Sequence, residues 1–318
     1  MGEFELIRNY FAAAPCAQKG EGVALGIGDD CALLTLPPGE QLAVSTDTLV
    51  TGVHFPDGCD PFLLGQRALA VSASDLAAMG ATPVAFTLAL TLPDVSANWL
   101  QHFAQGLNLM AQRCGLRLVG GDTTRGPLSL TLTVFGRVPA GSALTRSGAK
   151  PGDLLCVGGP LGDAAGALPL VLNQRGAEAS IAEALLARYW SPQPQFALGL
   201  GLRGKASAAL DISDGLLADC GHIALASRVR LLVEQDKLPV SSPLLTLLGP
   251  HAAQQAALSG GDDYLLAFTL PVAHLQGLLD ADLPVHVIGR VEAGEGVGLI
   301  DTKGHDIPVL ARGYQHFR

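Results

Sequence analysis

The spacing of apolar side chains predicts that strands and helices alternate in the first half of the chain. Residues 84–92 (VAFTLALTL) and 128–138 (LSLTLTVFGRV) place apolar side chains at every second position, which is typical of a strand. Between them, apolar side chains recur at helical spacing, with Ser96 as the expected N-cap and Gly115 as the expected end of the helix. Residues 116–122 (LRLVGGD) then predict a strand that runs into an aspartate. This order predicts an α/β domain with a mixed sheet rather than an all-parallel one.

The second half of the chain repeats this alternation after a break. Residues 139–152 are rich in glycine, serine and proline and predict a boundary between domains. Further strands are predicted at residues 231–234, 264–268 and 285–291. We therefore predict an α/β (α+β) fold of two domains, residues 1–138 and residues 139–318, with helices packed on mixed sheets.

The composition favours a chain with a large core and no membrane span. With 318 residues, of which 48% are hydrophobic, the chain is long enough for two domains. No apolar run reaches about 18 residues, and the N-terminus lacks the basic start and apolar run of a signal peptide. The six cysteines form no CxxC pair and no zinc-binding spacing, so we interpret them as reduced, mostly buried thiols of a cytoplasmic protein.

Acidic residues dominate the charge and recur in similar turns. The formal net charge is −9, and because no run of lysine and arginine is present, we expect no nucleic-acid partner. Aspartates follow glycine or serine beside apolar segments at GIGDD (26–30), VGGD (119–122), LDISD (210–214) and SGGDD (259–263). Two carboxylates about 4 Å apart repel by roughly 4 kcal/mol at an effective dielectric constant near 20. We therefore expect these acids to converge on one site where bound metal ions neutralise them.

Residues 42–54 (LAVSTDTLVTGVH) carry the densest group of oxygen-bearing side chains. Leu42 and Val44 are predicted to end a buried strand. The chain then changes abruptly to Ser45, Thr46, Asp47 and Thr48. Carboxylates and hydroxyls are hard ligands of the kind that Mg²⁺ prefers, and His54 follows as a separate polar group. Taken alone, this segment is more simply a strand end capped by a Ser/Thr turn. The repetition of acidic turns elsewhere is what favours a metal site.

Other polar positions each allow two interpretations. Asp75 lies on a helix face with small neighbours, where it could be solvated or could reach a metal ion through a water molecule. Arg146 is either a solvated linker charge or a guanidinium placed over a polyphosphate. Asp211 ends a predicted strand and Asp214 begins a helix, and N-capping explains one of these aspartates better than it explains both.

The motifs of the chain, taken in order, resemble those of the thiamine-monophosphate kinase family. They are GIGDD, VSTDTLVTGVHF, SDLAAMGA, LVGGDTT, SGAKPGD, LDISDGL, GGDDY and the terminal GYQHF. Several are shared with the wider aminoimidazole ribonucleotide synthetase-like superfamily, but STDTLVTGVHF is much closer to the kinase. The resemblance implies the fold of this superfamily, with an N-terminal domain that binds metal and ATP and a C-terminal domain that completes the cleft. It also implies a homodimer whose N-terminal sheets associate.

The resemblance further implies the residues of the site. The implied metal ligands are Asp30, Ser45, Thr46, Asp47, Asp75, Asp122, Asp211 and Asp214. The implied ATP contacts are Gly121, Asp122, Arg146 and Ser213. The implied contacts of thiamine monophosphate are His54, Asp262 and Tyr314, with Phe317 as the alternative aromatic residue. The family usually has glutamate where this chain has Asp262, so this shorter side chain reaches about one methylene less far.

The implied reaction is the ATP-dependent phosphorylation of thiamine monophosphate to thiamine diphosphate, assisted by several Mg²⁺ ions. The acceptor is a phosphate monoester with a second pKa of about 6, so it is already mostly anionic and needs no general base. Because two anions must meet, positioning and charge neutralisation are the main requirements. We therefore expect direct in-line transfer without a catalytic base or a phosphoenzyme. The alternatives are another ATP-dependent synthetase of the superfamily and a non-catalytic protein that binds Mg-nucleotide.

Overall fold

The N-terminal segment combines short helical turns with a small sheet. The protein is represented by a computed structural model, which describes residues 3–18, 20–308 and 313–314. The elements of this segment are α1 (Glu3–Leu6), a π-helical turn (Ile7–Ala12), a 3₁₀ turn (Pro15–Ala17), β1 (Val23–Leu25) and β2 (Leu33–Leu34). The last two strands pair antiparallel. Leu6 and Phe11 are buried, so apolar packing holds the helical turns in place.

A four-stranded mixed sheet forms the centre of the first compact unit, which comprises residues 1–76 and 81–141. Its strands are β3 (Glu40–Val50), β4 (Thr82–Leu92), β5 (Arg117–Arg125) and β6 (Ser129–Pro139). They are ordered β3-β6-β4-β5, with β6 antiparallel to both of its neighbours and β5 parallel to β4. The predicted mixed sheet is therefore confirmed.

Two helices of 18 residues each pack beside this sheet, α2 (Pro61–Ala78) and α3 (Ala97–Cys114). The hydroxyl of Ser96 accepts a hydrogen bond from the N–H of Trp99 at 3.3 Å, and Gly115 ends α3 in the left-handed conformation with φ of 70°. Both ends of α3 therefore lie where the sequence predicts them. A Cβ atom on Gly106 would lie 1.9 Å from the carbonyl oxygen of Phe62, so this glycine lets α3 approach the start of α2 closely.

The predicted end of a buried strand at Val44 is wrong. β3 continues to Val50 and pairs with β6 over its whole length, from Glu40 opposite Pro139 to Val50 opposite Ser129. Leu42 and Val44 are 44% and 54% exposed, because they lie on the face of the sheet opposite to α2. The oxygen-bearing side chains of residues 45–48 therefore alternate between the two faces of a strand instead of clustering in a turn.

A seven-stranded sheet forms the second unit, which comprises residues 77–80 and 142–318. Its strands are β7 (Leu154–Val157), β8 (Ala208–Asp211), β9 (Arg230–Glu234), β10 (Leu266–Leu270), β11 (His286–Glu292), β12 (Gly296–Ile300) and β13 (Asp306–Ile307). They are ordered β13-β12-β9-β11-β7-β10-β8. The pair β12 and β9 is parallel, and the other pairs are antiparallel, so this sheet is also mixed.

Helices cover both faces of the second sheet. They are α4 (Asp163–Val171), α5 (Ala179–Trp190), α6 (Phe196–Leu202), α7 (Leu216–Ser227), α8 (Ser242–Leu248), α9 (Pro250–Ser259) and α10 (Val272–Leu279), with a 3₁₀ turn at Gln235–Lys237. Successive residues of one strand belong to different core clusters: Leu155 packs with the α7 side, whereas Cys156 packs with the α6 side. This explains why these strands are apolar at nearly every position.

The strand predicted at residues 264–268 begins two residues later, as β10 (Leu266–Leu270). Asp262 and Tyr264 have φ angles of 68° and 50°, and this left-handed backbone cannot belong to a strand. All six cysteines are free and four of them are buried, in agreement with the predicted mostly buried thiols. Within the described ranges, no helix is long and apolar enough to cross a membrane.

Candidate active site

The face of β3 that meets α2 carries two of the predicted metal ligands. Ser45 and Asp47 are two positions apart, so their side chains lie on the same face of the strand. The Ser45 hydroxyl donates a hydrogen bond to Oδ2 of Asp75 on α2. The hydroxyl of Ser72, one turn earlier on α2, bonds the carboxylate of Asp47. The structure therefore brings Ser45, Asp47 and Asp75 together.

The two carboxylates of this group repel each other. Burial and the charge of Asp75 raise the pKa of Asp47 to about 6, and the hydrogen bond from Ser72 opposes this rise only in part. A divalent cation would remove the repulsion, because it favours the ionised form of both groups. Carboxylate and hydroxyl oxygens are also the donor atoms that a hard cation such as Mg²⁺ prefers. These residues therefore fit a Mg²⁺ ion.

Thr46 lies on the opposite face of β3. Its hydroxyl forms a hydrogen bond of 2.9 Å with the hydroxyl of Thr133 on β6, and Thr48 forms the same contact with Thr131. Because side chains alternate along a strand, the Thr46 hydroxyl points away from the Asp47 side of the sheet. The structure does not bring the side chain of Thr46 to the group around Asp75.

His54 follows β3 in a turn, and the main chain orients its ring. The N–H of Val50 donates a hydrogen bond of 3.0 Å to Nδ1 of His54, and the N–H of His54 donates to the carbonyl oxygen of Val50 at 3.0 Å. A ring nitrogen that accepts a hydrogen bond carries no proton, so the proton of the neutral ring lies on Nε2. His54 is therefore oriented as a hydrogen-bond donor through Nε2, which suits an oxygen acceptor on a ligand.

A cavity of about 550 Å³ lies along β5 in the first unit. Three of the predicted site residues line it, namely Asp30, Gly121 and Asp122. Its apolar walls come from the N-terminal segment and from the strands, and include Ile7, Phe11, Ile27, Leu88, Leu118 and Val119. The volume falls within the range of about 300–1,000 Å³ that is typical of small-molecule pockets.

Gly121 occupies a position of this cavity that only glycine can fill. Its φ angle is 153°, and a Cβ atom would lie 1.9 Å from the carbonyl oxygen of Leu88 on the neighbouring strand. The missing side chain lets β5 approach β4 closely here and leaves the backbone of Gly121 at the cavity wall. The glycine predicted from the sequence is thus required by the local packing as well as being suited to backbone contact with a ligand.

A row of paired residues crosses the first sheet from Asp47 on β3 to Gly121 on β5. It relates the acids around Asp47 to the second acidic group, Asp30 and Asp122, which line the cavity. Asp47 is opposite Leu132 on β6, Leu132 is opposite Leu88 on β4, and Leu88 is opposite Gly121 on β5. With strands about 4.8 Å apart, three steps separate Asp47 from Gly121 by about 14 Å. Among the residues that the structure describes, no group of three or more His, Cys, Asp or Glu side chains is placed to hold a metal ion. Within this unit, the acids therefore form two separate groups.

In the second unit, Asp219 holds the loop that contains Ser213 and Asp214. Its Oδ2 accepts hydrogen bonds from the N–H groups of Ser213, Asp214 and Gly215 at 3.0, 3.0 and 3.1 Å. Burial, with the nearby Asp214 carboxylate, raises the pKa of Asp219 to about 6, and the three hydrogen bonds oppose this rise. This residue is not among those predicted from the sequence. The signal that could have found it is an acidic residue in the first turn of α7, just after the LDISDG turn.

Two other motifs meet this same loop. The N–H of Asp262 donates to the carbonyl oxygen of Ser213 at 2.8 Å, and the N–H of Tyr314 donates to that of Asp214 at 3.1 Å. Asp211 lies just before the loop, buried at the end of β8. The structure therefore brings together the predicted residues of LDISDGL, GGDDY and the C-terminal segment. Phe317 lies outside the described residues.

The backbone of the GGDDY segment is strained. Asp262 and Tyr264 are both in the left-handed region, which non-glycine residues seldom adopt and which often marks functional sites. The hydroxyl of Tyr264 donates a hydrogen bond of 3.1 Å to Oδ1 of Asp262, so the shorter acidic side chain of this position is held by its own neighbour. Between them, Asp263 is buried, and both of its oxygens accept the N–H of Gly162 at 3.0 Å.

Arg146 is exposed in the segment that precedes β7. Ser227, at the end of α7, anchors this segment. Its hydroxyl donates to the carbonyl oxygen of Arg146 at 3.2 Å and accepts the N–H groups of Gly148 and Ala149, each at 3.1 Å. The backbone that carries the Arg146 guanidinium is therefore held by hydrogen bonds to Ser227. A mobile linker would have no such bonds.

Both halves of the chain match known protein families. Residues 28–138 match the N-terminal domain of AIR synthase related proteins, and residues 150–302 match their C-terminal domain. The chain is 46% identical over 323 residues to the thiamine-monophosphate kinase of Escherichia coli (strain K12). This alignment covers 99% of the chain and 98% of the relative. It is 34% identical over 330 residues to the thiamine-monophosphate kinase of Bacillus subtilis (strain 168), and this alignment covers 100% of both chains.

Solved structures are also similar to this chain, in fold and in sequence. The thiamine-monophosphate kinase of Stenotrophomonas maltophilia K279a has a TM-score of 0.87 and 45% identity, covering 96% of this chain and 98% of that chain. AaThiL, solved in complex with AMPPCP and TMP, has a TM-score of 0.81 and 31% identity, covering 89% of each chain. HypE of E. coli, a hydrogenase maturation protein, has a TM-score of 0.76 at 23% identity and is similar in fold alone.

Proposed function

We infer the activity of this chain from its family, since it belongs to the thiamine-monophosphate kinases: it transfers a phosphoryl group from ATP to thiamine monophosphate and forms thiamine diphosphate. The observation that carries this conclusion is the 46% identity to the Escherichia coli kinase over 99% of the chain. AaThiL, 31% identical and solved with AMPPCP and TMP, agrees with a nucleotide and a thiamine phosphate as the two substrates.

We propose that Mg²⁺ binds to the two acidic groups of the first unit and to the loop after β8. When bound, Mg²⁺ supplies positive charge that reduces the repulsion between the two anionic substrates. The proposed ligands are Asp30, Ser45, Asp47, Asp75, Asp122, Asp211 and Asp214. A contribution from Thr46 would come from its backbone carbonyl oxygen, because its hydroxyl is bonded to Thr133 on the other face of β3.

The residues of the chain position the reactants and do not need to remove a proton. The acceptor phosphate is already anionic at neutral pH, so no side chain has to act as a general base. We propose that the backbone at Gly121, the Arg146 guanidinium and Ser213 hold the ATP phosphates. Such placement and neutralisation account for most of the catalysis in phosphoryl transfer. The transfer is then direct and in line.

We propose that thiamine monophosphate is held by His54, Asp262 and Tyr314. Nε2 of His54 is set as a donor by the bond that Nδ1 accepts from Val50, which suits an oxygen of the substrate. The Asp262 carboxylate already accepts the Tyr264 hydroxyl, so it has a fixed orientation. Tyr314 is 51% exposed and offers an aromatic ring beside the loop of Asp214.

We propose that the protein works as a cytoplasmic homodimer that forms through the exposed face of the first sheet. Leu42 and Val44 are large apolar residues that lie exposed on this face, next to the Thr46–Thr133 and Thr48–Thr131 pairs. An apolar and uncharged surface of this kind commonly marks an association site. Light scattering of the Val44→Glu variant tests the proposal: we expect a monomer, against a dimer for the wild type. A monomeric wild type would overturn it.

Product formation from ATP, thiamine monophosphate and Mg²⁺ tests the activity directly. We expect thiamine diphosphate and ADP in equal amounts, and no ADP beyond background when an aminoimidazole precursor replaces the thiamine substrate. ADP formation with the precursor alone would instead identify another synthetase of the superfamily. Single-turnover reactions with labelled ATP test the direct mechanism. Label on an aspartate before product appears would contradict it.

A further inference from the structure

We propose that Tyr264 is a positioning residue for thiamine monophosphate, since its hydroxyl orients the Asp262 carboxylate, and that this carboxylate meets the thiamine end of the substrate. This inference rests on the proposed function, because it takes thiamine monophosphate to be the acceptor. It adds Tyr264, which is not among the predicted site residues, and it identifies the part of the substrate that the pair recognises.

The backbone conformation of Tyr264 is the first observation. Its φ angle is 50°, in the left-handed region. Aspartate tolerates this region because its short polar side chain can bond locally, whereas a bulky aromatic residue there is an outlier. Glycine would meet the needs of the backbone with less strain. A tyrosine held in such a conformation therefore indicates that its side chain has a function.

The hydrogen bond between the two side chains shows what this function is. The Tyr264 hydroxyl donates to Oδ1 of Asp262 at 3.1 Å, and both residues are partly exposed, so a ligand can reach them. A bond to one carboxylate oxygen limits rotation of the carboxylate and sets the direction of the other oxygen. Because Asp262 is one methylene shorter than the glutamate usual in the family, its carboxylate has less freedom to adjust to a ligand. Orientation before binding lowers the entropy lost when the ligand arrives.

The main chain around this pair is held at three points. The N–H of Asp262 donates to the carbonyl oxygen of Ser213 at 2.8 Å, and the N–H of Tyr264 donates to that of the preceding residue at 2.8 Å. Between them, both oxygens of the buried Asp263 accept the N–H of Gly162 at the start of α4. The backbone that carries the Tyr264 hydroxyl is therefore fixed, and it does not have to become ordered when a ligand binds.

Charge decides which end of the substrate the carboxylate meets. Thiamine monophosphate carries an anionic phosphate at one end, and a cationic thiazolium ring with an aminopyrimidine at the other. The Asp262 carboxylate repels the phosphate, but it attracts the cation and accepts a hydrogen bond from the amino group. Asp211 and Asp214 belong to the adjoining loop and increase the repulsion of a phosphate unless metal ions lie between. The thiamine end is therefore the partner that these charges favour.

The test removes the hydroxyl and keeps the ring, in Tyr264→Phe. Thiamine monophosphate, thiamine diphosphate and ATP are each titrated by calorimetry into the full-length protein with Mg²⁺. The two thiamine phosphates share the thiamine end and differ only in the phosphate end, so a loss at the thiamine end must affect both equally. The matched control is Tyr10→Phe, which removes a tyrosine hydroxyl from the first unit.

We expect Tyr264→Phe to weaken the binding of both thiamine phosphates by the same factor, about three- to tenfold, which corresponds to ordering one more side chain on binding. The affinity for ATP should not change. The KM for thiamine monophosphate should rise by a similar factor, while kcat and the KM for ATP change by less than about twofold. Tyr10→Phe should change none of these values.

A double-mutant cycle with Asp262→Ala tests whether Tyr264 acts through Asp262. In the Asp262→Ala background, Tyr264→Phe should cause no further rise in the KM for thiamine monophosphate, because the carboxylate that it orients is gone. A merely structural role would instead lower the melting temperature without this dependence on Asp262.

Three results would overturn the proposal. They are an unchanged affinity for thiamine monophosphate in Tyr264→Phe, an equal loss with and without the Asp262 carboxylate, and a loss for the monophosphate that the diphosphate does not share. Failure of the proposed function is a different outcome, in which the wild type forms no thiamine diphosphate. The titrations still decide in that case, and a wild type that binds neither thiamine phosphate would overturn this proposal as well.

Discussion

The N–H of Asp262 donates a hydrogen bond of 2.8 Å to the carbonyl oxygen of Ser213, which joins two loops that are 49 positions apart in the chain. The bond ties the proposed substrate contact at Asp262 to the proposed ATP contact at Ser213. A displacement of either loop should therefore alter the binding of both substrates. Asp219 fixes one side of this junction, since a single oxygen of its carboxylate accepts three N–H groups of the loop.

Replacing Asp219 should loosen this junction. In Asp219→Ala three N–H groups lose their acceptor, and that of Gly215 is buried, so we expect the free energy of unfolding to fall by about 1–3 kcal/mol. Turnover should fall at least tenfold, because the N–H groups of Ser213 and Asp214 lose the acceptor that orients them. Asp219→Asn keeps one acceptor oxygen and should show the smaller effect. Urea unfolding and kcat measure the two quantities. Asp236→Ala, at an exposed acidic position, is the control, and an equal effect there would contradict the interpretation.

Asp47 and Thr46 are neighbours on β3, but their replacement should differ in effect. Asp47→Asn removes a proposed metal ligand, so we expect turnover to fall by two orders of magnitude or more. In EDTA this variant should unfold at the same temperature as the wild type or higher, because one of two repelling carboxylates is gone. Thr46→Val removes only the hydroxyl on the other face and should leave more than half of the activity. A severe loss of turnover in Thr46→Val would show that its hydroxyl does reach the site.

The buried Asp263 should make stability depend on pH. Burial raises the pKa of its carboxyl well above the usual value, with smaller additions from Asp163 and Asp262. The folded state therefore holds this proton more strongly than the unfolded state does. Its contribution to the free energy of unfolding is fully present below the unfolded pKa, about 4, and is lost as the pH rises through the folded pKa.

The variant Asp263→Asn isolates this contribution. Its amide stays neutral and keeps one oxygen to accept the N–H of Gly162, so we expect the decline in stability above pH 4 to become shallower than in the wild type. Denaturant unfolding at a series of pH values from 4 to 8 measures the slope. Parallel curves for the two proteins would show that Asp263 carries no linked proton in this range.

Two adjacent glycines of β5 offer a matched pair. A Cβ atom on Gly121 would lie 1.9 Å from the carbonyl oxygen of Leu88, whereas one on Gly120 would lie 3.7 Å from Cγ2 of Thr87. We expect Gly121→Ala to lower the free energy of unfolding by about 1–3 kcal/mol or more, and Gly120→Ala to change it by less than about 1 kcal/mol. Thermal unfolding of the two variants decides. Equal melting temperatures would mean that the sheet relaxes around the added methyl group.

The sequence was informative where one local rule decides the structure. Alternation along residues 128–138 gave strand β6, and Ser96 and Gly115 gave the ends of α3, because caps and periodicity depend on near neighbours. The acidic motifs likewise marked positions that line a cavity or meet in one loop cluster. These are properties of residue type and spacing, which the chain shows directly.

The errors arose where distant parts of the chain decide. The apolar pattern predicts that a buried strand ends at Val44, but only the position of α2 on one face of the sheet reveals which residues of β3 are covered. β10 begins late because Asp262 and Tyr264 take left-handed conformations, which packing against the Ser213 loop imposes on non-glycine residues. Asp219 was missed for the same reason, since its role depends on how α7 meets the preceding loop.

The bond from Tyr314 to the carbonyl oxygen of Asp214 has a practical consequence for anyone who handles this enzyme. Gly313 lies so close to that oxygen that a Cβ atom would approach it within 2.6 Å, so the backbone here fits tightly under the loop. Truncation before residue 313 would remove this fit together with the hydrogen bond from the N–H of Tyr314. An inactive truncated protein would then reflect the loss of this contact with the Asp214 loop and not a defect in the chemistry of the enzyme.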